Sequence, residues 1–138
     1  MGREDMEKRV QVLAPAILRG LRRGFEKEGL RVRPDGSLAR TPHPRGLGSA
    51  LTHPRITTDF CEAQLELVTG VHADIDVCLE ELAQLHKVVY ECIGDELVWD
   101  ASLPCKLPAD DEIPIGRYGT SNLGRMKSVY LSLIHISE

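Results

Sequence analysis

One short segment, residues 24–33 with the sequence "GFEKEGLRVR", limits the possible folds most, because its side chains alternate with a period of two. Glu26 and Glu28 fall on the same side as two apolar residues, and this alternation is that of a β-strand. The residues that follow, "RPDGSL", contain the Asp-Gly pair that is typical of a tight hairpin turn. The sequence therefore predicts a strand, a turn and a return strand that begins at Leu38.

Two other segments have the spacing of helices. Residues 73–93 place apolar side chains three or four positions apart, which puts them on one face of a helix. The members of this stripe are Ile75, Cys78, Leu79, Leu82, Leu85, Val89 and Cys92. Gly94 is a natural residue at which such a helix ends. Residues 3–22 carry a similar stripe that contains Pro15, which should kink the helix or divide it into two.

The remaining segments alternate between loop and strand. Residues 41–55 contain three prolines and two glycines and are predicted to form a long loop. Residues 56–69, "ITTDFCEAQLELVT", are predicted to form a further strand, and the proline-rich residues 95–116 are predicted to be irregular. Strands and helices are mixed in this order, so we predict an α+β fold with a partial antiparallel sheet and flanking helices.

Composition excludes several classes of protein. A chain of 138 residues that is 42% hydrophobic is one domain at most and can bury a core, while its net charge of -4 argues against a nucleic-acid partner. No apolar run approaches the ~18 residues of a membrane span. The charged start "MGREDMEKRV" lacks the apolar core of a secretion signal, and the four cysteines form no CxxC pair. We therefore expect a cytoplasmic protein with reduced thiols.

Acidic residues lie within the apolar and β-forming frames of the predicted strands. They are Glu26, Glu28, Asp59 and Glu66. Clustered carboxylates suit Mg²⁺, which often bridges to nucleotide phosphates. Asp59 and Glu66 have opposite parity, so a bend or bulge must lie between them if both serve one site. The alternative is a solvated face of a one-sided sheet, and the pattern alone favours that alternative.

A second candidate is the loop "YGTSNLGRMK", residues 118–127. Its backbone amides, together with Arg125 and Lys127, are suited to contact a phosphate. A single glycine-containing loop is weak evidence, and the pattern alone does not favour phosphate contact.

Several blocks, taken in order, resemble a known family. They are "RGFEKEGLRVRPDGSLA", "HPRGLGSALTHPRITTDFCEAQLELVT", "GDELVW", "LPC" and "YGTSNLGRMKSVY". From about Arg19 to Tyr130 the sequence resembles the N-terminal part of bacterial glutamate–cysteine ligase of the proteobacterial type. The long second block is the most specific part of this resemblance.

The resemblance implies an activity and a fold. In this family ATP phosphorylates the side-chain carboxylate of L-glutamate, and the amine of L-cysteine attacks the acyl phosphate, which is the first step of glutathione biosynthesis. Mg²⁺ or Mn²⁺ ions position the phosphoryl group. The implied fold is related to glutamine synthetase, in which an antiparallel sheet forms a funnel around the site.

Individual positions carry further implications. Glu26, Glu28, Asp59 and Glu66 match acids that look like metal ligands in the family. Phe60 and Tyr130 match aromatic positions that look like part of the cysteine pocket, while Arg125 and Lys127 belong to a matching motif in which we assign them to nucleotide binding. Departures occur at Lys27, Gly29 and Asp100, where the family usually has Arg, Thr and Pro, and none of them removes a ligand.

The resemblance also bears on length. Enzymes of the family are several-fold longer, so we expect residues 1–130 to be an incomplete N-terminal part of the catalytic domain that is inactive alone. The final residues 131–138, "LSLIHISE", resemble a translated transposon end from sequencing libraries, and we predict that they are not native. Two alternatives stay open: another ATP-dependent carboxylate–amine ligase of the same superfamily, and a short non-catalytic protein that binds Mg²⁺-nucleotide.

Overall fold

The structure is a computed structural model that describes residues 20–118. In this range the strands are Glu26–Val32 (β1), Ile56–Thr58 (β2), Gln64–Val68 (β3) and Leu97–Trp99 (β4), the α-helix is Ile75–Cys92 (α1), and 3₁₀ turns occupy Arg45–Leu47 and Asp110–Glu112. The strands form one antiparallel sheet in the order β2-β3-β1-β4. The predicted α+β class is therefore confirmed. The predicted helix over residues 3–22 lies almost entirely outside the described residues.

The register of the strands divides the side chains between two faces of the sheet. Glu28 on β1 is paired with Glu66 on β3, and Glu66 is paired in turn with Thr57 on β2. Residues that are directly opposite in a sheet point to the same side. We call the side that carries Glu26, Glu28 and Glu66 the acid face, and the opposite side the helix face.

The helix face packs against α1. Its buried core consists of Leu47, Ile56, Leu65, Leu67, Val89 and Ile93. Helix α1 begins where the Asp74 side chain accepts the Asp76 N–H at 2.9 Å, and it ends before Gly94, whose φ of 67° suits a left-handed cap. Most of the predicted apolar stripe packs here, but Leu79 is 47% exposed, so its predicted burial is wrong.

A second core covers the C-terminal end of β1. It consists of Val32, Leu38, Ala39, Cys61, Ala63 and Cys105. The predicted Asp-Gly turn is present, with Gly36 at φ 78°, a conformation that glycine adopts readily. The predicted return strand is reduced to a bridge between Val32 and Leu38, together with a hydrogen bond from the Ala39 N–H to the Arg31 carbonyl.

Two strand predictions are wrong. Residues 56–69 form two antiparallel strands, β2 and β3, instead of one, and the chain reverses through residues 59–63. No glycine or proline marks this reversal, which is why the sequence pattern did not reveal it. Strand β4 lies in a segment that was predicted to be irregular. The sequence did not reveal it because its three residues pair with β1, which is distant along the chain.

The cysteines and the helices bear on two of the expectations drawn from composition. All four cysteines are free thiols, as predicted. Among residues 20–118 no helix is long and apolar enough to cross a membrane.

Candidate functional site

The acid face brings three of the predicted metal ligands onto adjacent strands. Glu28 lies directly opposite Glu66. Glu26 lies two residues before Glu28 on β1, on the same face and opposite Val68. Directly opposite residues in an antiparallel pair have Cβ atoms about 4.5–5.5 Å apart, and like charges in such a pair destabilise the sheet. Two facing carboxylates therefore give this surface a physical reason to bind a cation.

The two neighbours of Glu28, Gln64 and Lys27, act on different faces of the sheet. The Gln64 amide donates a hydrogen bond to a Glu28 carboxylate oxygen at 3.0 Å, which supplies a dipole but no positive charge. Lys27 lies between the two glutamates in sequence, but it belongs to the helix face, where its ammonium group forms an ion pair with Asp100. The nearest lysine in the sequence is therefore not available to neutralise the acid face.

The fourth predicted ligand, Asp59, lies in the turn that joins β2 to β3. It follows β2 two residues after Thr57, the residue that is paired with Glu66. The chain reverses between Asp59 and Glu66, so their opposite parity along the sequence does not separate them. The required bend is a complete antiparallel reversal rather than a bulge within one strand.

Tyr118 holds the end of β2 and the start of the turn that carries Asp59. Its hydroxyl donates to the Thr58 carbonyl at 3.0 Å and to the Asp59 carbonyl. Burial raises the pKa of Tyr118, and the carboxylate of Asp59 raises it further, with smaller contributions in the same direction from Glu62 and Glu66. The sequence assigned no role to this tyrosine.

Glu62 is the second residue that the sequence pattern missed. It is 2% exposed, and one carboxylate oxygen accepts the His43 N–H at 2.8 Å while the other accepts the Arg117 N–H. The prediction of one strand over residues 56–69 gives Glu62 the same parity as Glu66 and no role of its own. The reversal at residues 59–63 removes it from the strand and directs it inward.

Arg31 lies behind this turn and is also buried. It is 1% exposed, and its guanidinium donates to a Glu96 carboxylate oxygen at 2.8 Å and to the Glu62 carbonyl at 3.0 Å. A third donation reaches the Thr41 hydroxyl at 2.7 Å. This network ties β1, the long loop and the segment before β4 to the turn that carries Asp59.

The described residues do not form a closed metal site by themselves. Between residues 20 and 118 no three His, Cys, Asp or Glu side chains lie close enough together to hold a metal ion. The predicted ligands on the acid face are all carboxylates, and hard cations such as Mg²⁺ prefer oxygen ligands. The donor chemistry thus fits Mg²⁺, while the described part of the chain contributes a surface instead of a complete shell.

Three other predicted site residues lie outside the described part of the chain. They are Arg125, Lys127 and Tyr130. Phe60, the remaining candidate, lies beside Asp59 in the turn, where its carbonyl accepts the Gly116 N–H at 3.0 Å.

Together, these features define an α+β domain with a helix on one sheet face and carboxylates on the other. The family model for glutamate-cysteine ligase matches residues 9–135. Relatives of that name from Alcanivorax borkumensis and Sodalis glossinidius are each 53% identical, over 92% and 84% of this chain respectively. The chain belongs to the glutamate–cysteine ligase family.

Solved structures agree with this assignment. The fold is similar to a glutamate–cysteine ligase from Francisella tularensis in complex with AMP, with a TM-score of 0.76 and 43% identity over 80% of this chain. It is also similar to a bifunctional glutathione synthetase from Pasteurella multocida, with a TM-score of 0.66 and 33% identity over 82% of this chain. The chain spans 22–25% of the length of the curated relatives named above.

Asp100 lies next to both of the other positions at which we expect departures from the family, Lys27 and Gly29. Lys27 forms its ion pair with Asp100, and a Cβ atom added to Gly29 would lie 2.8 Å from an Asp100 carboxylate oxygen and 2.6 Å from Val98. Asp100 therefore occupies space that a larger side chain at position 29 would need. Lys27 and Gly29 lie on the helix face, and Asp100 is next to both of them there.

Proposed function

We propose that this chain is part of an enzyme that joins the side-chain carboxylate of L-glutamate to the amine of L-cysteine at the expense of ATP. The reaction proceeds through an acyl phosphate and is the first step of glutathione biosynthesis. The observation that carries the proposal is the carboxylate row of the acid face, set by the pairing of Glu28 with Glu66, in a chain of the glutamate–cysteine ligase family. The AMP complex of the Francisella relative supports nucleotide use.

Within this proposal the acids hold Mg²⁺ or Mn²⁺. Glu26, Glu28 and Glu66 contribute carboxylates from the acid face, and Asp59 contributes one from the adjoining turn. A divalent cation bound there would neutralise the phosphate oxygens and align the phosphoryl group for transfer. The rigid pairing of β1 with β3 fixes the spacing of the glutamates, so this part of the chain contributes orientation.

The substrate contacts are assigned to the remaining candidates. Phe60 and Tyr130 form part of the pocket for cysteine, and Arg125 and Lys127 contact the nucleotide. The sheet is one portion of a larger funnel whose further ligands belong to the rest of the protein. The proposed partners are small molecules, without nucleic acid or membrane, and the proposed location is the cytoplasm.

The test is activity of the full-length protein encoded by the reading frame that contains these residues. We expect γ-glutamylcysteine and ADP to form only when ATP, glutamate, cysteine and Mg²⁺ are all present. Glu26→Ala should abolish turnover, because a ligand of the phosphoryl-positioning cation is lost. Glu80→Ala, at an exposed position of α1, is the matched control and should retain the wild-type rate.

Other outcomes would replace the proposal. Product formation with a different amine, but none with cysteine, would assign another carboxylate–amine ligase of the same superfamily. Binding of Mg²⁺-ATP without ligation of any amine would assign a non-catalytic nucleotide-binding protein. Wild-type turnover in Glu26→Ala would remove that residue from the ligand set.

A further inference from the structure

The turn of residues 59–63 is held mainly by one distant segment of the chain. The Glu62 N–H donates to the Pro114 carbonyl at 2.8 Å, and the Gly116 N–H donates to the Phe60 carbonyl at 3.0 Å. Cys61 and Ile115 form an isolated antiparallel bridge between these two bonds. The turn therefore has a fixed position relative to residues 114–118, although some 50 residues separate them in sequence.

The Glu62 side chain extends this attachment in two directions. Its two carboxylate oxygens accept separate backbone N–H groups, one from His43 in the long loop and one from Arg117. An ionised carboxylate can only accept hydrogen bonds, and it is the acceptor in both of these bonds. Burying such a charge is costly unless hydrogen bonds compensate it, and the carboxylate meets that need through backbone donors.

The two anchored segments both lead to candidate site residues. Asp59 and Phe60 precede Glu62 by three and two residues, inside the same turn. Arg117 leads directly into the loop "YGTSNLGRMK", which begins at Tyr118. A single buried side chain thus connects the turn that carries the proposed metal ligand and substrate contact with the segment that ends at Tyr118.

We infer that Glu62 is a positioning residue that sets Asp59 and Phe60 relative to Glu66 and to residues 114–118. It acts through the backbone and does not contact cation or substrate itself. Removing a residue that orients a metal ligand typically lowers metal affinity or activity by about 10–100-fold. The inference rests on the proposed function for the roles of Asp59 and Phe60, but its main readout is metal binding.

The experiment compares Glu62→Gln with Glu80→Gln in the full-length protein. The glutamine has the same shape, but its NH₂ group faces a backbone N–H, so one of the two anchoring bonds is lost. We expect Mn²⁺ affinity, measured by electron paramagnetic resonance, to fall about 10–100-fold in Glu62→Gln, with a similar fall in kcat/KM for cysteine. Circular dichroism should remain that of the wild type, and Glu80→Gln should bind Mn²⁺ as the wild type does.

A second variant covers the case in which Glu62→Gln does not fold. Tyr118→Phe removes the hydroxyl that donates to the Thr58 and Asp59 carbonyls, and thus loosens the same turn from its other side. Here we expect Mn²⁺ affinity to fall about 3- to 10-fold, in proportion to the loss of one hydrogen-bonding group. A folded variant at either position that binds Mn²⁺ within about twofold of the wild type would overturn the inference.

The same assays separate this inference from the proposed function. A wild-type protein that makes no γ-glutamylcysteine would refute the proposed function. If Mn²⁺ affinity still fell in Glu62→Gln, the positioning role would stand without it. An active wild type with an unaffected Glu62→Gln would refute the positioning role alone.

Discussion

The two faces of the sheet are built by the same strands but are used differently. On the helix face Ile56, Leu65 and Leu67 are at most 3% exposed and pack against α1. On the acid face Glu26 and Glu28 are exposed, and the Glu28–Glu66 pair places like charges opposite one another. Burial on one side thus stabilises the strands enough to tolerate unfavourable charges on the other, where the proposed cation binds.

The comparison implies that substitutions on the two faces have different signatures. A change on the helix face should lower stability in proportion to the buried contacts that it removes. A change on the acid face should alter cation binding while leaving stability nearly constant. The following predictions refer to the full-length protein and run from the largest expected effect on stability to the smallest.

Arg31→Ala should be the most damaging change, although it removes a charge. The substitution leaves the Glu96 carboxylate buried without its ion-pair partner and removes the bond to the Glu62 carbonyl. Breaking a buried pair in this way typically costs about 3–5 kcal/mol. Urea denaturation measures the loss, with Arg45→Ala, at an exposed position, as the control. A loss below about 1 kcal/mol would mean that the network does not stabilise the fold.

Leu67→Ala tests the helix face directly. It creates a cavity in the core between β3 and α1, which should cost about 2–5 kcal/mol. The melting temperature and the free energy of unfolding should both fall, while Mn²⁺ affinity of the folded protein should stay within about twofold. A folded variant that loses Mn²⁺ binding would show that the two faces are not independent.

Gly29→Ala tests how closely the helix face is packed around Val98 and Asp100. The added Cβ would overlap Val98 and the Asp100 carboxylate, so we expect a loss of about 1–3 kcal/mol. Adding Asp100→Ala should recover part of this loss, because it removes one of the two obstructing groups. Strictly additive effects in this double-mutant cycle would contradict the proposed contact.

Some of the features that these variants test could be predicted from the sequence, and others could not. The period-two pattern of residues 24–33 predicted β1, and the spacing of residues 73–93 predicted α1, because each pattern is local. The inward position of Arg31 was not predictable, since alternation does not identify a partner such as Glu96, which is 65 residues away. Glu62 was missed because the chain reverses at a turn that has no glycine or proline.

The candidate site was predictable to a similar extent. The acids on β1 and β3 were identified from the sequence, and the register then aligned Glu28 with Glu66. Tyr118 was missed, because its contacts with the Thr58 and Asp59 carbonyls depend on a segment about 60 residues away. Local patterns therefore place candidate ligands on strands, while the residues that hold those strands and turns in position require the tertiary structure.

Glu28→Gln should have the smallest effect on stability. It removes the like-charge repulsion with Glu66, and a glutamine oxygen can still accept the hydrogen bond from Gln64, so the protein without metal should be stabilised by about 0.2–1 kcal/mol. Thermal denaturation in the presence of a chelator measures this gain. With saturating Mn²⁺ the order should reverse, because the wild type gains more free energy from the bound cation.

The most direct test of the cation-binding acid face is Mn²⁺ titration of the full-length Glu28→Gln/Glu66→Gln double variant, followed by electron paramagnetic resonance. Glu80→Gln/Glu91→Gln, at exposed positions of α1, is the control with the same change in net charge. We predict that the double variant remains folded and loses at least about tenfold in Mn²⁺ affinity, while the control binds as the wild type does. Equal affinity of both double variants and the wild type would contradict the assignment of the acid face as the cation site.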